Sequence, residues 1–145
     1  MKVFFIWIGI VVGVLLVVIL VATGIGMLLP VKHVASRTEA FTVSQQRLWD
    51  LAMAQFQRTN DGSYAIVEQA PPNRFVSAIV KKDLPFGGTW TYEFSPLRAG
   101  TSLTITERGE VYNPFFRFVS RYVMGHTKSI DDFMAALRKA TEAKS

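Results

Sequence analysis

The stretch TWTYEFSPLRAGTSLTITERGEV, residues 89–111, decides the fold. Trp90, Tyr92 and Phe94 alternate with Thr91 and Glu93, so the aromatic side chains share one face of a strand. A turn from Pro96 to Gly100 leads into a second alternating run, Thr101 to Val111, with Leu103 and Ile105 on one face. Two such runs joined by a turn make a hairpin with an apolar face that other elements must cover.

Before the hairpin, Arg37 to Val43 reads as a first strand. Ser44 is a good N-cap for a helix over Gln45 to Arg58, which sets Leu48, Leu51, Ala52 and Phe56 on one face. Asn60-Asp61-Gly62 is a turn, Tyr64 to Gln69 a short strand, Pro71-Pro72-Asn73 a break, and Arg74 to Lys82 a longer strand. After the hairpin, Asn113-Pro114 opens a helix running toward Ala140. Phe115, Val119, Tyr122, His126, Ile130, Phe133 and Leu137 fall on one stripe of it, with Gly125 a kink or close-packing point. The expected architecture is α+β: a curved antiparallel sheet wrapped around one long C-terminal helix, with an apolar cavity between them.

Residues 3–29 carry no charged side chain, and Thr23 is the polar member of the run. Roughly 20 apolar residues suffice to cross the hydrocarbon core of a bilayer. The run exceeds the core of a cleaved signal peptide, and it is apolar all round, unlike the helix of a soluble core. It is therefore expected to be a transmembrane helix over 1–30, followed by a linker over 31–36 and a folded domain over 37–145. Gly9 and Gly13 have the spacing that lets two membrane helices approach closely, although glycine is common in such helices. Lys32 and Arg37 after the span, against Lys2 before it, lean toward a cytoplasmic C-terminal domain by the positive-inside rule.

The chain has 145 residues and a formal net charge of +5; about 115 residues remain beyond the anchor, enough for one core. The positive excess is spread out. It suits anionic headgroups and lacks the dense basic stripe that nucleic acid requires. With no cysteine and two histidines far apart in sequence, no metal site is expected, and no cofactor motif is present.

Glu107 is in register with Leu103 and Ile105, so a regular strand would point it inward as a candidate acid or base. Gly109 favours the other expectation, a bulge at Arg108-Gly109 that leaves Glu107 at the rim paired with an arginine. His126, on the apolar stripe, is the second candidate, for ligand binding or proton relay; its commoner role would be packing. His33 reads as an interfacial residue just past the span. Ser129, His126 and Asp131 lie on one helix, which rules out a nucleophilic triad. Arg117 and Arg121, one turn apart, would pair with Glu107 or Glu110, meet lipid phosphates, or simply be solvated.

The element order, with VEQAPPNRFVSAIV (67–80), DLPFGGTWTYEF (83–94) and TITERGEVYNPFFRFVSRYVMGHTKSIDDFMAAL (104–137), resembles the START-like helix-grip superfamily, and within it the polyketide cyclase/dehydrase-like branch. The resemblance covers Thr38 to Leu137 and implies a hydrophobic-ligand pocket beneath the C-terminal helix, without implying a reaction. The chain departs from the family pattern between Phe56 and Gln69, where the family has a longer insert. The sheet is therefore expected to lack about one strand, leaving a smaller cavity or one open at a side.

The leading expectation is a non-enzymatic, single-pass membrane protein that binds a lipid or other hydrophobic small molecule. Trp90, Tyr92, Phe94, Leu103, Ile105, Val119, Tyr122 and His126 would line its pocket. The alternatives are a cyclase- or dehydratase-type enzyme using Glu107 and His126, and a module that binds another membrane protein through an exposed sheet edge.

Overall fold

The computed structural model describes residues 1–143. Helix α1 (Lys2–Leu28) leads directly into β1 (Lys32–Phe41), α2 (Gln45–Thr59), β2 (Tyr64–Ala70), β3 (Arg74–Ile79), β4 (Phe86–Leu97) and β5 (Gly100–Val111). α3 (Pro114–Val119), a π-helical turn (Ser120–Met124) and α4 (Lys128–Glu142) follow. The five strands form one sheet in the order β1-β5-β4-β3-β2, antiparallel throughout. The chain is thus α+β, with an N-terminal apolar helix, an antiparallel sheet and a C-terminal helix.

The hairpin expected from residues 89–111 is the centre of this sheet. Trp90 lies opposite Glu107, Tyr92 opposite Ile105 and Phe94 opposite Leu103. Cross-strand neighbours share a face, so these side chains form a single inner surface. α2 covers it with Leu48, Trp49 and Ala52, and α4 with Ile130, Met134 and Leu137, all buried. Phe75 of β3 stacks on Tyr92 with ring centroids 4.1 Å apart. On the edge strand β1, Arg37 and Glu39 share the face of buried Ala35 and Phe41 and reach α4 instead of a core. Arg37 pairs with Asp131 at 3.2 Å, and Glu39 takes two 2.8 Å bonds from Arg138. At the other edge, β2 is bulged between Ile66 and Glu68, a feature that discourages pairing with a further strand.

Two sequence expectations are corrected. Strand β1 begins at Lys32, so most of the stretch read as a linker belongs to the sheet. The C-terminal helix is broken: α3 gives way to the π turn, and Gly125 (φ 78°) takes a backbone conformation that side chains resist before α4 begins. The anticipated single stripe is lost, and Tyr122 is 60% exposed. Asn113 caps α3 as expected, accepting hydrogen bonds from the Phe115 and Phe116 amides at 2.9 and 3.3 Å.

α1 is long and apolar enough to cross a membrane. Its buried residues are Ala22 and Gly26, one turn apart, and α3 packs against that face. A side chain on Gly26 would overlap the Pro114 carbonyl. Small residues at this spacing allow two helices to meet at backbone distance. Arg117 of α3 then donates to the Gly26 and Leu29 carbonyls at 3.1 and 3.0 Å and to the Tyr112 carbonyl at 3.0 Å. Carbonyls at a helix C-terminus lack partners within the helix, and a guanidinium supplies them while complementing the helix dipole. Among the described residues, nothing lies near Gly9 or Gly13.

Gly26→Leu is expected to force α3 away from α1, costing about 1–3 kcal/mol as overpacking does. A lower thermal midpoint in detergent and faster tryptic cleavage after Arg117 or Arg121 would report it. Gly13→Leu should change neither; equal effects of the two substitutions would refute the docking.

Candidate functional site

Glu107 is 8% exposed and points to the inner face, because β5 keeps register with both neighbours through Glu110. The expected bulge and arginine partner are absent. His33 Nε2–H donates to Oε1 at 3.0 Å, while Trp90 Nε1–H at 2.9 Å and the Ser129 hydroxyl at 2.6 Å donate to Oε2. The donors come from β1, β4 and the first turn of α4. A buried carboxylate requires such partners, since an unpaired one costs several kcal/mol.

Gly109 explains how His33 reaches Glu107. The two face each other across the β1–β5 ladder, and a Cβ on Gly109 would overlap the His33 ring. Its missing side chain leaves the space through which the imidazole leans toward the carboxylate. Read from sequence as a bulge former, the glycine instead sits in a regular strand and makes room.

His126 follows Gly125, and its ring lies 4.2 Å from that of His33, centroid to centroid. Both its ring nitrogens are screened from solvent and have no hydrogen-bond partner among the described residues. Burial holds its pKa below the ordinary 6.5, helped by the nearby His33 and Arg121 and opposed by Glu107. Burial likewise raises the Tyr92 phenol, which stays neutral.

Cavities adjoin this cluster on several sides. One of about 210 Å³ lies between sheet and helices, with Phe56, Tyr64, Trp90, Tyr92, Ile105 and Phe133 in its wall. A second, about 450 Å³ and mostly apolar, is walled by Phe86, Trp90, Val111, Phe116, Val119 and Met124, with Glu107 and Ser129 also at its surface. Tyr64, Trp90 and Ser129 belong to both. A cleft of about 290 Å³ has both Glu107 and His126 in its lining. Among the described residues, no group of three His, Asp or Glu side chains is arranged to hold a metal ion.

Of the residues expected to line a pocket, Trp90, Tyr92, Ile105 and Val119 do so. Phe94 and Leu103 are packed in the core, at 3% and 0% exposure. Tyr122 faces outward, and His126 lines the cleft with Glu107 rather than the apolar cavities. His33 and Ser129 lie outside the expected pocket set. Extending the alternation of β1 back from Ala35 places His33 inward, but the sequence signal for that strand begins at Arg37.

No family model matches this chain, and no curated protein matches it. Solved structures do. A Geobacillus kaustophilus protein superposes with a TM-score of 0.60 at 13% identity, over 77% of this chain and 96% of its own. A Mesorhizobium loti protein gives 0.59 at 11% identity, over 78% and 99%, and one from Rhizobium leguminosarum 0.54 at 12%, over 74% and 95%. All three are described by source and not by an activity, so the likeness is one of fold.

Glu107→Ala would strand the His33 and Trp90 donors, with an expected loss of about 3 kcal/mol in denaturant unfolding. Gly109→Ala should also destabilise, by pushing the His33 ring off the carboxylate. A Glu107→Ala variant as stable as the parent would refute the cluster's structural role. In an NMR titration His126 should protonate below 6.5. The native state then binds fewer protons than the unfolded chain, so the stability owed to neutral His126 is present above 6.5 and lost as pH falls through its lowered pKa.

Proposed function

We propose that this chain is a single-pass, membrane-anchored domain of the START-like helix-grip type that holds a lipid or other hydrophobic small molecule. The observation that carries the reading is the 450 Å³ apolar chamber, walled on one side by α3 and the π turn. Its size and its apolar lining with a few convergent polar groups fit a small-molecule site, for which about 300–1,000 Å³ is usual. α3 is also the element that grips the C-terminal end of α1. With α1 in a bilayer, the chamber lies beside the surface where apolar molecules concentrate, and proximity offsets modest affinity. The positive-inside lean favours the cytoplasmic face for the domain. Glu107 and Ser129 lie at the chamber surface, bonded to each other.

A second reading, an enzyme using Glu107 and His126, is favoured by their sharing one cleft. Against it, both oxygens of Glu107 are engaged by protein donors. That arrangement suits positioning better than proton transfer. The bulged edge of β2 leaves an edge-pairing interaction module less supported still.

The full-length chain, purified in detergent, is expected to carry an extractable lipid or apolar metabolite in near-stoichiometric amount by native mass spectrometry. Val119→Trp should fill the chamber and lower that occupancy about tenfold while the protein remains folded. A parent protein that retains nothing apolar and fails to bind a fluorescent fatty-acid analogue would sink the carrier reading. Chemical conversion of the retained molecule, abolished by Glu107→Gln, would transfer the case to the enzyme.

A further inference from the structure

A further cavity of about 340 Å³ lies where α1 meets the domain, bordering the apolar chamber at His33, Val111 and Ser120. Its wall includes the chain from Leu29 to Val31 and the side chains Lys32, His33, Arg117, Arg121, His126 and Thr127. Three of these are permanent cations, and no Asp or Glu is among the described residues of the wall. Glu110 pairs with Lys32 at 3.6 Å, but that lysine side chain is 82% exposed and free to turn away. Glu107 is already engaged by His33.

The wall also holds polar atoms in need of a partner. Arg117 spends its terminal nitrogens on the Gly26, Leu29 and Tyr112 carbonyls, while its Nε is buried without one. His126 has neither ring nitrogen satisfied. Buried donors left unpaired are costly, and a nearby oxyanion would accept from them through strong, charge-assisted bonds. A phosphate group has the acceptors for a guanidinium and an imidazole together, and Arg121 and Lys32 add charge at the same wall; the Thr127 hydroxyl is already held by Arg37 and Asp131.

We infer that this cavity binds a phosphate group, supplied by the headgroup of an anionic phospholipid at the point where α1 would leave the bilayer. The lipid as source rests on α1 being the membrane anchor; the phosphate chemistry does not. The site borders the chamber proposed for an apolar ligand, but its cations have no counterpart in that chamber's wall, so either can fail alone.

The test uses the full-length chain in nanodiscs of equimolar phosphatidylcholine and phosphatidylglycerol, with retained lipids counted by native mass spectrometry. One phosphatidylglycerol per chain should be kept in preference to phosphatidylcholine. Arg121→Gln and His126→Gln should each lower that retention about tenfold, the scale of one charge-assisted bond. Lys139→Gln, an equal charge loss on the exposed side of α4, should change it less than about twofold, since salt screens distant charges. The His126 titration should also move upward in phosphatidylglycerol relative to phosphatidylcholine, as a nearby anion favours the imidazolium. In a second arm, inorganic phosphate is added to nanodiscs of phosphatidylcholine alone and followed by phosphorus NMR. Phosphate binding sensitive to Arg121→Gln, without a phosphatidylglycerol preference, would uphold the site and assign it to free phosphate. Failure of both arms, or binding indifferent to Arg121→Gln and His126→Gln, overturns the inference.

Discussion

A carboxylate taken out of water has to be met by donors, and around Glu107 that requirement organises the domain. Its partners come from the edge strand, from the neighbouring strand of the hairpin and from the last helix. Each element is brought to the others by apolar packing that has no preferred direction; the hydrogen bonds give it one. Trp90 serves both purposes, with its ring in the core and its indole N–H on the carboxylate. Buried polar groups of this kind contribute less to net stability than to choosing one arrangement among several compact ones. Here the arrangement chosen keeps the sheet and α4 from closing fully on each other, so that cavities survive on either side of the cluster.

Much of this fold was legible because its signals are local. The alternation of residues 89–111, the Ser44 and Asn113 caps and the helical spacing of Leu48, Ala52 and Phe56 each depend on near neighbours, and all appear where the sequence places them. What was illegible depends on partners distant in sequence. Gly109 resembles a bulge until His33, on another strand, is seen to occupy the space beside it. Arg117 resembles a solvated helix residue until the carbonyls of α1 are seen to face it. The break at Gly125 leaves an apolar periodicity that one continuous helix would also produce, and only the backbone separates the two. The candidate site was half visible for the same reason: Trp90 and Glu107 are cross-strand neighbours in one hairpin, while His33 and Ser129 arrive from elements far along the chain.

The same contrast marks the small-residue motifs of α1. Gly9 and Gly13 have the better-known spacing but face nothing among the described residues. Ala22 and Gly26, with a less conspicuous pattern, carry the packing against α3. Sequence spacing identifies a surface capable of close approach; which surface is used depends on what the rest of the fold sets beside it.

The joint between α1 and the domain leaves only residues 29–31 outside regular structure, and it is fastened by the Arg117 guanidinium. A helix of 27 residues is about 40 Å long, against a hydrocarbon core of about 30 Å. Its last turns, from Ala22 onward, lie against α3, so the free part of the helix, residues 2–21, is about 30 Å long and matches that core without surplus. A thinner or thicker bilayer would then be met by leaning the helix or deforming the lipid. A flexible tether would absorb such a lean, whereas a joint of so few residues passes it on as a rotation of the whole domain.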